Sequence, residues 1–172
     1  MIKLAGSLLV LLGCAGLGFW YRGQFRGRIY HIQLLITILE IMISQVRYCR
    51  SSLPECCRQL AQKTLSPYRE NFQKIWEETK KNSGEGYREI FVKNIEICMG
   101  QVPLCTEEKR IFSDVMEQFG YEEAKMQINS MEQCKEQLKS LCAKLEKEVD
   151  AKGKAAMGLG VLSGFFVIII LL

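Results

Sequence analysis

The last third of the chain places the strongest constraint on its fold. Residues 121–154 are rich in charged, helix-favouring side chains, contain no Pro, and have their first Gly at Gly153. They pass directly into residues 155–172, which carry no charge and are predominantly apolar. A helix needs about 20 predominantly apolar residues to cross a bilayer, with a lower limit near 17. The pattern therefore predicts a long water-facing helix that continues into a C-terminal membrane helix.

Three glycines of this apolar end, Gly158, Gly160 and Gly164, have a spacing similar to that of a dinucleotide-binding loop. Such a loop follows a β-strand within a βαβ unit, and no such pattern surrounds these glycines. In a membrane helix, small residues four positions apart let another helix approach closely. We therefore predict that these three glycines form a helix-packing surface.

The other end of the chain is also apolar. Residues 4–20 follow Lys3 and lead to Trp20 and Tyr21, an aromatic pair typical of the edge of a bilayer. This predicts an N-terminal membrane helix over residues 3–21. An alternative is an exported lipoprotein, because Leu11-Leu12-Gly13-Cys14 resembles a cleavage box whose Cys is acylated. The apolar run continues past Cys14 and ends in basic residues, which favours a retained anchor.

Charges beside the two apolar ends predict the orientation. Basic residues border the first segment at Arg22, Arg26 and Arg28, and the last segment at Lys147, Lys152 and Lys154. Lys3 is the only charge beyond them. Because cytoplasmic borders of membrane helices are enriched in Lys and Arg, we expect residues 22–154 to form a cytoplasmic domain between anchors at 3–21 and 155–172.

The middle of the chain is predicted to be all-α, with about six helices. It holds nearly all of the 23 basic and 19 acidic residues, a balance that does not indicate a nucleic-acid-binding surface. Apolar residues recur every three or four positions, as in amphipathic helices. The stripe predicted for the first helix of the domain, about 27–48, consists of Ile32, Leu35, Ile36, Leu39, Ile43 and Val46.

Local signals predict where the later helices begin and end. Ser52 and Glu55 have the spacing of a capping box, Thr106 precedes acidic residues that favour a helix start, and Gly100 and Gly120 are predicted stops. The stripe predicted for the fifth helix consists of Ile111, Val115 and Phe119. The stripe predicted for the sixth consists of Ile128, Met131, Leu138, Leu141, Cys142, Leu145 and Val149.

Eight cysteines raise the question of disulfides. They lie mostly on apolar helical positions without the spacing of a zinc site, which favours reduced thiols packed as small hydrophobic residues in a cytoplasmic protein. In the adjacent pair, we expect Cys56 or Cys57 to face the core and the other to face water. A thiol enzyme that uses this pair is an alternative hypothesis.

No catalytic, cofactor-binding or metal-binding residues are predicted. The sequence has one histidine, His31, for which we predict a structural role, and it has no phosphate-binding loop, nucleophile elbow or zinc motif. A non-enzymatic interaction protein is therefore the favoured class.

Several features occur together along nearly the whole chain. They are an N-terminal anchor followed by Arg and a helix, the segments Val46-Arg47-Tyr48 and Leu53-Pro54-Glu55, a Phe119-Gly120 turn followed by Gln127, and a Gly-rich end from Gly158. In these features the chain resembles the stage III sporulation protein AB family. It departs where the family usually carries an acidic residue before a Tyr-Gly pair, since Gln45 precedes Val46 and Cys49 follows Tyr48.

The resemblance implies a membrane platform needed for endospore formation. It implies two spans in the mother-cell membrane around the forespore, and a cytoplasmic helical domain similar to those of type II secretion and type IV pilus platform proteins. The implied partners are a secretion-type ATPase and other stage III channel proteins, with neither nucleic acid nor cofactor. Close packing of the membrane helices would also allow a homo-oligomer.

Overall fold

The computed structural model describes residues 2–49, 52–81, 86–119 and 123–171, and for most helical positions before Phe25 and after Ala155 it describes the backbone alone. Within these ranges every regular element is helical and no β-strand occurs, so the prediction of an all-α fold of about six helices is confirmed. The helices are α1 (Ile2–Ser44), α2 (Leu53–Lys63), α3 (Tyr68–Lys81), α4 (Tyr87–Gln101), α5 (Thr106–Gln118) and α6 (Ala124–Leu171). A short π-helix, Gln45–Cys49, follows α1 directly.

The chain divides into two compact units. One is the helical bundle, Tyr30–Cys142, which contains α2 to α5 with the adjoining parts of α1 and α6. The other consists of Met1–Ile29 and Ala143–Leu172, which hold the first part of α1 and the last part of α6. The boundaries predicted for the soluble domain, residues 22 and 154, stay a prediction.

One face of α1 lies in the core of the bundle. Ile32, Leu35, Leu39 and Ile43 are buried as predicted, whereas Ile36 and Val46 are only half-buried. Ile38 and Met42 are fully buried instead, so the apolar face is centred closer to them than the sequence predicted.

A segment that includes this face has the length and composition of a membrane helix. Among the described residues, Phe25–Tyr48 is the one candidate span, with a mean hydropathy of 1.6 and 39% of its most apolar window buried inside the protein. Residues 3–21, the predicted first anchor, are helical throughout, but their side chains lie outside the described part of the chain.

At the start of α2, the predicted capping hydrogen bonds do not form. Ser52 is the N-cap residue, as the sequence predicted, but its side chain makes no capping hydrogen bond. The carboxylate of Glu55 does not turn back to the helix start, because it accepts three hydrogen bonds of 2.6–3.1 Å from the guanidinium of Arg58. A bidentate pair with a guanidinium fixes a carboxylate more strongly than a backbone amide does.

The start of α5 lies one residue earlier than predicted. Cys105, not Thr106, is the N-cap, and its backbone N–H donates to Oε2 of Glu108 over 2.9 Å. Glu108 is buried, with 1% of its surface exposed, so the acidic start of this helix presents only Glu107 to solvent.

The buried face of α5 also differs from the prediction. It is formed by Glu108, Phe112 and Met116, while Ile111 and Val115 are half-buried at its margin. Phe119 is buried as predicted and follows the last residue of the helix as its C-cap. The predicted stop at Gly120 lies outside the described residues.

The remaining helices follow the predicted patterns with small differences. Gly100 does not end α4, which continues to Gln101. On α6, Met131, Leu138, Cys142, Leu145 and Val149 are buried as predicted, together with Cys134, which the sequence analysis did not select. The helix runs without interruption from Ala124 to Leu171, so the predicted continuity between a water-facing helix and the apolar end is confirmed.

Candidate functional site

The glycines predicted to pack against another membrane helix all lie within α6. Gly158 is exposed, and a Cβ atom added there would meet nothing within 4 Å. The surroundings of Gly160 and Gly164 lie outside the described part of the structure. The packing surface therefore stays a prediction.

The adjacent cysteines of α2 are both in the core, which corrects the expectation that one of them faces water. Cys56 and Cys57 have 2% and 1% of their surface exposed. The Sγ atom of Cys57 lies 3.0 Å from the hydroxyl oxygen of Tyr87 on α4, and the Tyr87 ring stacks on Phe91. This hydrogen bond gives a buried phenol a partner and joins α2 to α4.

Burial controls the chemistry of these thiols. Loss of water around the ionised form raises the pKa of Cys56 and of Cys57 to about 12. Burial likewise raises the pKa of Cys134 to about 12 and that of Cys98 to about 11. A nucleophilic or redox-active cysteine needs an accessible thiolate, so these groups are suited to packing rather than to catalysis.

His31 has the structural surroundings that the sequence predicted. Its Nδ1 atom lies 3.2 Å from the hydroxyl oxygen of Tyr68, and the Tyr68 side chain is 1% exposed. The rings of Tyr30 and Tyr68 both meet the imidazole edge to face, with centroids 5.5 Å and 5.8 Å away. The half-buried histidine thus joins α1 to α3.

A polar network joins α3 to α4. Asn94 is 2% exposed, and its side-chain amide donates to Oε2 of Glu78 and to the carbonyl of Ile90, both over 2.8 Å. The amide of Asn71 donates to the carbonyl of Asn94 over 2.7 Å. Because an unpaired amide is costly to bury, this network sets how the two helices are aligned.

The π-helix forms a surface feature that the sequence analysis did not predict. It contains Val46-Arg47-Tyr48, one of the segments that carry the family resemblance. The guanidinium of Arg47 lies 2.6 Å from Oε1 of Glu132 on α6, and 75% of the Tyr48 surface is exposed. Hydrophobic periodicity cannot reveal this turn, because π-helical turns interrupt a helix without changing its composition.

The junction of α5 and α6 holds a small open pocket with a cavity volume of about 10 Å³. Its apolar lining residues are Val115, Phe119 and Met131, and its polar ones are Gln118, Gln127 and Ser130. Pockets that enclose a small-molecule ligand usually have volumes of about 300 Å³ or more. The pocket has room for about one water molecule. In the described part of the chain no group of three His, Cys, Asp or Glu residues is arranged to hold a metal ion.

A family model for stage III sporulation protein AB matches residues 3–172. The chain belongs to this family. The match covers both apolar ends and the whole bundle, so the predicted family resemblance is confirmed. No curated protein and no solved structure matches the chain.

Membership of the stage III sporulation protein AB family assigns the chain to sporulation. The family is not known as a family of enzymes. Of the described features, the buried clusters at Cys57, His31 and Asn94 join helices within the core. The π-helix and the small pocket are the features that face the surface.

Proposed function

We propose that this protein is a non-enzymatic membrane platform of the sporulation channel between mother cell and forespore. The observation that carries the proposal is the continuity of the two long helices. Each of them, α1 and α6, runs without interruption from an apolar end of the chain into the bundle. Helices that connect a bundle to apolar segments in this way are suited to holding it at a membrane.

The chemistry of the bundle supports a scaffold rather than an enzyme. The buried side chains of Asn94 and Cys57 make contacts between helices, and the buried thiols have raised pKa values. The only histidine is half-buried and shares a hydrogen bond with Tyr68. Catalytic groups, in contrast, need access to a substrate and a pKa suited to proton or electron-pair transfer.

We place the bundle in the cytoplasm of the mother cell, with spans at residues 3–21 and 155–172. Membership of a sporulation family and the apolar composition of both ends of the chain support membrane association. The basic borders of both apolar ends support the orientation. In this arrangement the bundle docks a secretion-type ATPase, and the anchors pack against other stage III channel proteins.

The test is co-purification of the full-length chain from membranes of sporulating cells in which the ATPase is made. We expect the ATPase to be recovered with the wild-type chain, and to be lost when Tyr48 and Glu107 on the exposed surface are replaced by Arg. A variant with Met126→Arg, also on the exposed surface, is a control for added charge. Failure to recover the ATPase with the wild-type chain would contradict the platform role.

The exported lipoprotein is the second candidate function, and the Leu11-Leu12-Gly13-Cys14 segment is the observation that favours it. The two candidates differ in covalent structure. Intact-mass measurement of the chain from membranes distinguishes them, because a lipoprotein would have lost residues 1–13 and gained acyl groups on Cys14. We expect a mass that includes those residues and no lipid.

A further inference from the structure

Three lysines at the start of the C-terminal unit lie on one face of α6. Lys144, Lys147 and Lys154 are exposed, whereas Leu145, Val149 and Gly153 are buried. With about 100° of rotation per residue, the three lysines fall within roughly 80° of one another, on the side of the helix opposite the buried residues. The lysine face, Lys144, Lys147 and Lys154, therefore points to solvent as a unit.

Acidic residues of the same segment are arranged away from the centre of this face. Glu146 lies on one flank of the helix, next to the buried side, and Asp150 lies further round that flank, one turn before Lys154. Glu148 borders the lysine face, and its Oε2 atom lies 3.7 Å from Nζ of Lys152. Glu148 therefore forms an ion pair with a fourth basic residue, Lys152. The positive charge of the lysine face is only partly offset.

The α1 half of the same compact unit adds further positive charge. Residues 22–29 contain three arginines and no acidic residue, and Arg26 is exposed. Residues 143–154 add four lysines and three acidic residues. The two stretches beside the apolar ends, 22–29 and 143–154, therefore carry a net positive charge. Charge of this sign and position is complementary to the anionic surface of a membrane.

We propose that the lysine face of α6 binds the phosphate groups of anionic phospholipids. The proposal rests on the proposed membrane anchoring, which places Lys154 beside the headgroups and Lys147 and Lys144 about 10 Å and about 15 Å further along the helix. Basic residues next to a membrane helix gain about 1 kcal/mol each from an anionic leaflet, which corresponds to roughly a fivefold effect per residue. Contact with lipid headgroups fixes the depth of the helix, in addition to the orientation that positive borders give.

The test compares bound lipids on the full-length chain in detergent, measured by native mass spectrometry. The probes are phosphatidylglycerol, which is anionic, and phosphatidylcholine, which is not. We expect the wild-type chain to prefer phosphatidylglycerol, and a K144Q/K147Q/K154Q variant to lose that preference by at least tenfold. The matched control is K125Q/K135Q/K139Q, which removes the same charge from the earlier part of α6. It should keep the preference.

Three outcomes would overturn the inference. Equal loss in the control variant would mean that net charge, not the lysine face, attracts the lipid. Displacement of phosphatidylglycerol by inorganic phosphate would mean that the face binds a free anion. An absent preference in the wild-type chain would contradict headgroup binding altogether. Circular dichroism of both variants checks that they remain folded, as exposed substitutions should allow.

Carbonate extraction of membranes from sporulating cells separates this inference from the proposed function. If the wild-type chain stays in the membrane but shows no preference for phosphatidylglycerol, only the lipid site is wrong. If carbonate releases the chain, the two-span anchoring is wrong, and the lipid site fails with it.

Discussion

The bundle and the two apolar ends are made of the same secondary structure but are specified in different ways. Between Tyr30 and Cys142, polar contacts join α1 to α3, α2 to α4 and α3 to α4 at named atoms. Residues 3–21 and 155–172 carry almost no side chains capable of such contacts. In the bundle, single side chains determine which helices meet. In the two apolar ends, only helix length, hydropathy and the positions of small residues can determine which helices meet.

This contrast indicates which part of the protein can vary without loss of its role. A bundle held by buried hydrogen bonds tolerates few changes in its core, because each unpaired group costs free energy. An apolar anchor tolerates exchange among Leu, Ile, Val and Phe, since lipid does not distinguish them. We therefore expect substitutions to have large effects in the bundle core and small effects at apolar positions of the two proposed anchors.

The largest effect is expected in the reactivity of the buried thiols. With a pKa of about 12, Cys57 is a thiolate in only about one molecule in 10,000 at pH 8, and burial also blocks access to it. We expect iodoacetamide to modify Cys57 at least a thousandfold more slowly in the folded chain than in denaturant. Cys105, which is half-buried, is the internal control and should react in the folded chain.

The pH dependence of this protection follows from the direction of the pKa shift. The pKa of Cys57 in the folded chain lies above the ordinary value of 9.0, so the neutral thiol favours the folded state. This contribution to stability therefore declines as the pH rises from about 9 to about 12. Peptide mapping by mass spectrometry measures the modification at each pH. Rapid modification of Cys57 at pH 8 would mean that α2 does not pack as described.

A matched pair of leucines tests how strongly the core is packed. Leu60 on α2 is fully buried, and Leu65, five residues later, has 50% of its surface exposed. Leu60→Ala should lower the free energy of unfolding by about 2–5 kcal/mol, because it removes buried methyl groups and leaves a cavity. Leu65→Ala should change it by less than about 1 kcal/mol. Denaturant unfolding of the full-length chain in detergent measures both, and equal effects would contradict the packing.

The polar network between α3 and α4 should contribute less than the apolar core. Asn94→Ala removes the donor to Glu78 and should cost about 1–3 kcal/mol of unfolding free energy. Asn129→Ala, at an exposed position of α6, is the matched control and should change it by no more than about 0.5 kcal/mol. If the two variants unfold at the same denaturant concentration, the network does not stabilise the bundle.

The smallest effect on bundle stability is expected at the proposed C-terminal anchor. Gly160→Leu should leave unfolding of the bundle within about 0.5 kcal/mol of wild type and leave membrane insertion intact, because Leu is at least as apolar as Gly. It should reduce assembly with partner helices, since a bulky side chain prevents close approach. Ala155→Leu, nearer the membrane edge, is the control. Loss of insertion for Gly160→Leu would mean that the glycine surface is not what faces the partner.

The sequence predicted the helices well where amphipathic patterns are strong. Core positions such as Ile32, Leu39, Leu138 and Val149 follow from periodicity, because burying one helix face is the main way in which an amphipathic segment gains stability. The predicted stripe of α5 was displaced by one residue. The buried face includes Glu108, whose carboxylate accepts the N–H of Cys105, and a hydrophobic pattern does not select a Glu as a buried position.

The hydrophobic pattern could not predict which residues far apart in the sequence form side-chain pairs. The contact of Cys57 with Tyr87 and that of Arg47 with Glu132 join residues 30 and 85 positions apart. Hydropathy records whether a residue tends to be buried, not which partner it meets. The same limit explains why Cys56 and Cys57 were not both predicted to be buried, since an apolar helix face about 100° wide can hold two adjacent residues.

The most direct test of the proposed platform role is site-specific photocrosslinking in sporulating cells. A photoreactive amino acid would be placed in turn at exposed positions of the bundle, with Tyr48, Gln62 and Glu107 among them, and at Leu60 as a buried control. Our account predicts adducts with the secretion-type ATPase from a cluster of exposed positions on one face, and none from Leu60 or in cells without the ATPase. The absence of an ATPase adduct from every exposed position would contradict it.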